Sequence, residues 1–235
     1  MKTQLYSAVL YFHIACGFTA LATGLAVIIM KKGTRFHVRT GLIYFYTMAG
    51  ILATSLAMLC IAPEKEHLWF LGAVAIISFY QTYTGRRMVQ QKGKPIIARL
   101  DDWLALVLIT ISGLWAIYKA IECGMDANYF HMSLFLFFAM LGLRTGWNDQ
   151  LLYTGKLPAG KMLWYDHHIS RMMGSYAATT TAFVVNVIPR HLPNDTHWLV
   201  FLALWIVPGT LIGTLGGRFR KSKQIIHHPG KEAFV

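Results

Sequence analysis

Charged residues, and acidic residues above all, are scarce in this chain. Only 14% of the 235 residues are charged and only 10 are acidic, whereas a soluble domain carries about 25% charged residues. Hydrophobic residues make up 55% of the chain, and its mean hydropathy is +0.46. This balance excludes an ordinary soluble domain and predicts an integral membrane protein.

Several catalytic and structural patterns are also missing. The three cysteines form no CxxC pair, and the chain contains neither an HExxH zinc motif nor a phosphate-binding glycine loop. Cys60 and Cys123 fall near predicted helix ends on one side, where two isolated thiols fit better than a disulfide. A net charge of +12 would suit nucleic acid, but the basic residues collect on one side of the predicted helices, so we expect no nucleic-acid partner.

Seven long apolar runs follow one another along the chain. Most of them reach the ~20 residues that a membrane-spanning helix needs, and segments with proline, glycine or charge separate them. The runs cover residues 5–30, 38–62, 68–85, 103–121, 129–147, 164–188 and 197–217. The sequence therefore predicts an all-α polytopic bundle of seven transmembrane helices over residues 1–217, followed by a basic tail over residues 218–235.

The basic residues are shared unequally between the two sides of this predicted bundle. Most of the 22 Lys and Arg residues fall in alternate loops that share one side with the tail. The positive-inside rule then places the N-terminus outside and the C-terminus in the cytoplasm. The predicted location is the bacterial cytoplasmic (inner) membrane, with the lipid bilayer as the first partner and an oligomer left open.

With this topology, the histidines of the helices fall near two depths. His13 and His131 lie toward the outer ends of the first and fifth helices, and His37, His167 and His168 open the second and sixth helices on the cytoplasmic side. Ionisable side chains are costly in lipid and usually face the bundle interior or a cavity. The pattern predicts an outer pair, His13 with His131, and an inner pair, His37 with His168 or His167. The alternative is that each is an interfacial residue with a local hydrogen-bond partner.

A phenylalanine-histidine pair followed by glycine occurs twice. Gly17 lies four residues after His13, and Gly41 lies four residues after His37. Such a glycine shares a helix face with the histidine. It allows either close helix packing or room for a flat macrocycle, and the pattern alone favours neither.

The sixth helix carries the densest polar stretch, from Asp166 to Tyr176. Arg171 lies far enough inside this helix to need a carboxylate or an anionic ligand. The acidic residues predicted on the same membrane side are Asp101, Asp102, Asp149 and Asp166. They indicate either an ion-paired rim that joins helices, or a polar cavity for a quinone head group, haem propionates or an anionic lipid.

Three motifs resemble a known family. They are His13-x3-Gly17-x6-Gly24, Lys32-Gly33-x3-His37-x-Arg39-x-Gly41-x2-Tyr44 and His168-x2-Arg171-Met172-x-Gly174-Ser175-Tyr176. In these the chain resembles a family of bacterial multi-pass membrane proteins that is catalogued as a domain of unknown function. In that family His and Arg are usually adjacent at the second motif, and here Val38 separates them. The resemblance implies the topology and this choice of residues, and it implies no activity.

The first functional hypothesis is a membrane haem-b electron carrier, a quinone- or metal-reductase-like protein. Haem b needs imidazole ligands on facing helices, which the pairs His13 with His131 and His37 with His168 would supply. Arg39 and Arg171 would neutralise haem propionates. A quinone or another membrane redox subunit would be the electron partner, and oxidoreductase activity is left open.

Three alternatives stay open. A metal-dependent membrane enzyme would use zinc, with ligands from His37, His167, His168 and nearby carboxylates. For a metal of any kind, haem iron included, the candidate ligands are these three histidines together with His13 and His131. A transporter would line its path with Arg171 and the histidines. An assembly subunit would bind no cofactor.

Overall fold

The computed structural model describes residues 2–157, 162–193 and 195–227. In chain order the helices are α1 (Lys2–Ile29), α2 (Arg35–Ile61), α3 (Glu66–Gln90), α4 (Leu100–Met125), α5 (Tyr129–Tyr153), α6 (Leu163–Val187) and α7 (Trp198–His227). A short 3-10 turn, Ile188–His191, follows α6. The described residues contain no strand, so the all-α prediction is confirmed, and each helix overlaps one predicted run. Since α7 continues to His227, the predicted basic tail begins inside a helix.

Four of the helices in the described part of the chain are long and apolar enough to cross a membrane. These are α1, α2, α4 and the segment Leu199–Arg220 of α7. The other three carry more polar residues, and on α3 many of these are buried: Ser78, Gln81, Thr82 and Thr84. A helix that contacts lipid must be apolar, whereas a buried helix can carry polar groups that are paired. Hydropathy therefore detects the exposed helices more readily than α3.

The chain divides into two compact units, and α3 contributes to both. The first unit comprises residues 1–80 and 93–160. In it α1 packs along α2, and α4 packs along α5. Both are antiparallel pairs with a small residue at the contact: a Cβ on Gly50 would lie 2.9 Å from Cys16 Sγ, and one on Gly113 would lie 2.7 Å from Leu143 Cγ. Such small residues let membrane helices approach closely.

The second unit comprises residues 81–92 and 161–235, in which α6 packs against α7 and against the last part of α3. The hydroxyl oxygens of Thr82 and Ser175 lie 2.6 Å apart, and both residues are completely buried. At Gly174 an added Cβ would lie 2.0 Å from Gln81 Oε1, so the Gln81 amide occupies the space that a larger residue would need. Polar groups thus pair α3 with α6 in apolar surroundings.

Candidate functional site

His13 lies in α1 with its imidazole turned toward α2. Its Nδ1 lies 2.8 Å from Thr54 Oγ1. The Thr54 hydroxyl also lies 2.7 Å from the Gly50 carbonyl oxygen and 3.0 Å from that of Ile51. A threonine hydroxyl has a single proton. With that proton on one of these carbonyls, Thr54 Oγ1 would accept from His13 Nδ1–H, and the lone pair of the imidazole would lie on Nε2.

The turn between α1 and α2 brings these residues together. Gly33 has a φ of +79°, a conformation that glycine adopts at little cost. Thr34 then caps α2, because its Oγ1 accepts from the His37 amide at 3.2 Å. The turn sends α2 back along α1, which sets His13 opposite Thr54 in the second half of α2.

Gly17 and Gly41 do not lie at a close contact between helices. A Cβ built on either residue would meet no atom within 4 Å, in contrast to Gly50. Side chains in a helix tilt toward its N-terminus, so a side chain at position 17 would cover the turn that carries His13. Position 41 has the same relation to His37. The repeated glycine leaves the helix surface beside both histidines uncovered.

His37 differs from His13 in the nitrogen that it presents. It is the third residue of α2 and is half-buried. Its ring hydrogen-bonds the Val27 carbonyl, while Nδ1 is buried and has no hydrogen-bond partner among the described residues. A proton on Nε2 would let the ring donate to this carbonyl and would place the lone pair on the buried Nδ1. The two matching motifs therefore hold Nδ1 of their histidines in different surroundings.

His168 has the same tautomer as His13. Its Nδ1 lies 2.9 Å from the Gly85 carbonyl oxygen, which can only accept, so the proton lies on Nδ1 and the lone pair on Nε2. Arg171, one turn further along α6, is only 8% exposed. Its Nη2 lies 3.5 Å from His167 Nε2, and its Cβ would lie 2.9 Å from a Cβ on Gly85. Arg171 is thus embedded in the packing of α3 against α6.

The remaining predicted site residues are more exposed. His131 is exposed at the start of α5, where its Nδ1 lies 3.0 Å from Oδ1 of Asn128, the residue that caps this helix. This arrangement is the one expected of an interfacial histidine with a local partner. Arg39 is exposed on α2.

The pairing of His13 with His131 stays a prediction. His13 Nδ1 lies beside Thr54 of α2, and His131 Nδ1 lies beside Asn128 at the start of its own helix. His37 belongs to the first unit and His168 to the second, and their pairing stays a prediction. No group of three or more His, Cys, Asp or Glu side chains that could hold a metal ion occurs in the described ranges. The absence of such a group bears only on zinc-type sites, because a haem iron takes only one or two protein ligands.

Buried acidic residues form contacts that the histidine pattern did not indicate. Asp149 and Asp102 are completely buried. Asp149 accepts from the Tyr80 hydroxyl at 2.7 Å, and Asp102 accepts from the Arg99 amide at 2.8 Å at the start of α4. Sequence reasoning placed both carboxylates on the cytoplasmic rim but missed Tyr80, as it missed Thr54. The run of polar residues in the middle of α3 was the sequence signal that could have pointed to Tyr80.

The fold and these sites define an all-α protein with several helices that could cross a membrane and with His13 and His168 held by partners on other helices. Comparisons with protein families, curated proteins and solved structures find no match to this chain. The resemblance drawn from the three motifs therefore stays a prediction.

Proposed function

We propose that the protein is an integral membrane haem-b protein that moves electrons across or at the membrane, and that His13 would be one of the residues that hold the haem iron. The observation that supports this is the hydrogen bond from His13 Nδ1–H to Thr54, which leaves Nε2 as the metal-binding nitrogen. Metal-ligating histidines usually donate their other ring N–H to a fixed acceptor, which sets the ring orientation and raises its basicity. An imidazole without such an acceptor would rotate and bind less firmly.

The surroundings of His13 also fit a flat macrocycle. Gly17 leaves the adjacent helix surface uncovered, and α1 and α2 are apolar enough to lie in lipid. Of the inner histidines, His168 has its ring oriented by the contact of Nδ1 with the Gly85 carbonyl and would hold the haem iron, as the sequence predicts. The exposed Arg39 fits a propionate better than Arg171, which is already embedded between helices. A bound haem would supply one-electron iron chemistry, while the chain orients its ligands and excludes water.

The proposal includes seven spans, with the N-terminus outside, the tail in the cytoplasm and the bacterial inner membrane as location. It is supported by the asymmetric distribution of Lys and Arg and by the alternating helix directions within each unit. A quinone or a membrane redox subunit would exchange electrons with the haem. His131 would be the second residue that holds the iron, as the sequence predicts, although its ring is exposed and lies beside Asn128.

The test is an absorption spectrum and a haem assay on protein purified from haem-replete cells. We expect a reducible Soret band, a large loss of haem and an altered spectrum in His13→Ala, and no change in His67→Ala, whose exposed histidine opens α3. A colourless wild-type protein, or equal haem content in both variants, would contradict the assignment.

A second candidate is a proton-coupled carrier, which the buried polar residues of α3 and their partners favour. Tyr80 donates to the completely buried Asp149, and Thr82 bonds the completely buried Ser175. Polar groups of this kind inside membrane proteins often mark ion or proton paths. A colourless protein that carries protons into vesicles, and loses that flux in Asp149→Asn, would favour this candidate over haem.

A further inference from the structure

The turn between α1 and α2 carries a concentrated group of cations with no acidic neighbour in sequence. Lys31, Lys32, Arg35 and Arg39 all lie within it or in the first turns of α2, and all four are exposed. The first acidic residue along the chain is Glu64. Among the residues that the structure describes, Lys31, Arg35 and Arg39 take part in no ion pair. We name these four residues the basic turn.

Lys32 has a separate role within the basic turn. Its ammonium donates to the carbonyl oxygens of Val27 and Ile28 at the end of α1. A cation at this position satisfies carbonyls that lack helical partners and interacts favourably with the negative end of the helix dipole. Burial lowers the pKa of Lys32. The other three cations remain available to an outside partner.

Arg35 and Arg39 lie in an electrostatically unfavourable position. They are four residues apart, so both project from one face of α2, and they occupy its first two turns. The N-terminus of a helix carries partial positive charge, and cations near it are disfavoured unless an anion is present. The amides of Arg35 and Phe36, which precede the His37 amide that Thr34 caps, also lack helical acceptors. Two guanidinium groups and these N–H groups together form a set of donors suited to a phosphate group.

Exposed apolar side chains adjoin the same cations. Ile29 is 75% exposed and Phe36 is 74% exposed, and both lie at the ends of helices that are apolar enough to cross a membrane. A free phosphate ion would use the cations and gain nothing from these apolar residues. A phospholipid uses both, because its acyl chains contact the apolar side chains while its phosphate reaches the cations.

We propose that the basic turn binds the phosphate of an anionic phospholipid, with Arg35, Arg39 and Lys31 on the phosphate and Ile29 and Phe36 against its acyl chains. Basic residues at the edge of a membrane helix recognise acidic lipids in this way. The site uses neither His13 nor His168, and it shares with the haem proposal only Arg39, which would otherwise hold a propionate. It predicts that an acidic lipid remains with the protein in detergent.

The test is native mass spectrometry of detergent-purified full-length protein titrated with phosphatidylglycerol, with phosphatidylcholine of the same acyl chains, and with inorganic phosphate. We expect phosphatidylglycerol to bind at least tenfold more tightly than phosphatidylcholine. Each cation near a membrane surface raises the binding constant for an acidic lipid by a factor of about five. Arg35→Gln with Arg39→Gln should therefore weaken phosphatidylglycerol binding by about 10- to 30-fold. Arg35→Lys with Arg39→Lys should keep most of it.

The matched control removes two exposed cations elsewhere, Lys2→Gln with Arg190→Gln. It should change phosphatidylglycerol binding by less than about threefold, because neither residue lies in the basic turn. Equal losses in the two double variants would overturn the proposal in favour of a net-charge effect. Inorganic phosphate that binds as tightly as phosphatidylglycerol would overturn the assignment to a lipid. Circular dichroism and size-exclusion profiles that match the wild type establish that each variant is folded.

Discussion

Thr54→Val is the most selective perturbation of the proposed haem site, because valine has nearly the shape of threonine and lacks only the hydroxyl. The change removes the acceptor that lies 2.8 Å from His13 Nδ1. The Gly50 and Ile51 carbonyls, to which Thr54 now donates, already belong to the α2 hydrogen-bond ladder and are not left unpaired. The imidazole is the group that loses a partner.

The expected magnitudes follow from that loss. An unpaired buried N–H costs about 1–3 kcal/mol. Loss of a partner behind a metal-binding histidine typically lowers metal affinity by about 10- to 100-fold. A less basic imidazole stabilises oxidised iron less, so the reduction potential should rise by tens of millivolts, since a tenfold change in affinity ratio corresponds to about 59 mV for one electron.

The assay is haem content per polypeptide together with a potentiometric titration of the haem absorbance in detergent. Thr54→Ser keeps a hydroxyl and should restore both values. Thr110→Val is the matched control, because Thr110 also donates to a carbonyl of its own helix, that of Leu106 at 2.8 Å, and α4 contains no histidine. If Thr54→Val and Thr110→Val give the same haem content and the same potential, Thr54 does not act through His13.

Two further substitutions test the glycines. Gly17→Ala should leave the free energy of unfolding unchanged or slightly raised, because its Cβ would meet nothing within 4 Å. Gly17→Leu should lower haem content several-fold. A leucine variant with full haem content would show that the space beside His13 is not used. Gly174→Ala should lower the free energy of unfolding by about 1–3 kcal/mol, since its Cβ would lie 2.0 Å from Gln81 Oε1. Gln81→Ala in the same chain should restore most of that loss in a thermal unfolding assay, and a Gly174→Ala protein as stable as Gly17→Ala would contradict the packing.

The functional site was only partly accessible from the sequence. The choice of His13, His37 and His168 rested on their occurrence near the ends of apolar runs, and all three are half-buried in helices. Their tautomers could not be predicted, because Thr54, Val27 and Gly85 become their partners only through the fold. Thr54 lies 41 residues from His13, and Gly85 lies 83 residues from His168. No local pattern connects residues at such separations.

The sequence by itself determined the helical class and the approximate helix bounds. Few charges, long apolar runs and breaks of proline, glycine and charge leave the backbone no means of satisfying its hydrogen bonds in lipid other than helices. It also determined the basic turn, because four cations at positions 31–39 without an acidic residue before Glu64 are a property of composition.

Only the tertiary structure decided the surroundings of the histidine in each Phe-His-x-x-x-Gly stretch. Both Phe-His-x-x-x-Gly stretches are alike in sequence, and both glycines leave open space. Yet His13 Nδ1 lies beside Thr54 of α2, whereas His37 Nδ1 is buried and has no hydrogen-bond partner among the described residues. The difference arises because His13 faces a hydroxyl on a neighbouring helix, whereas His37 lies beside the last carbonyls of α1. A hydrogen-bond partner fixes a histidine's tautomer, and packing supplies that partner.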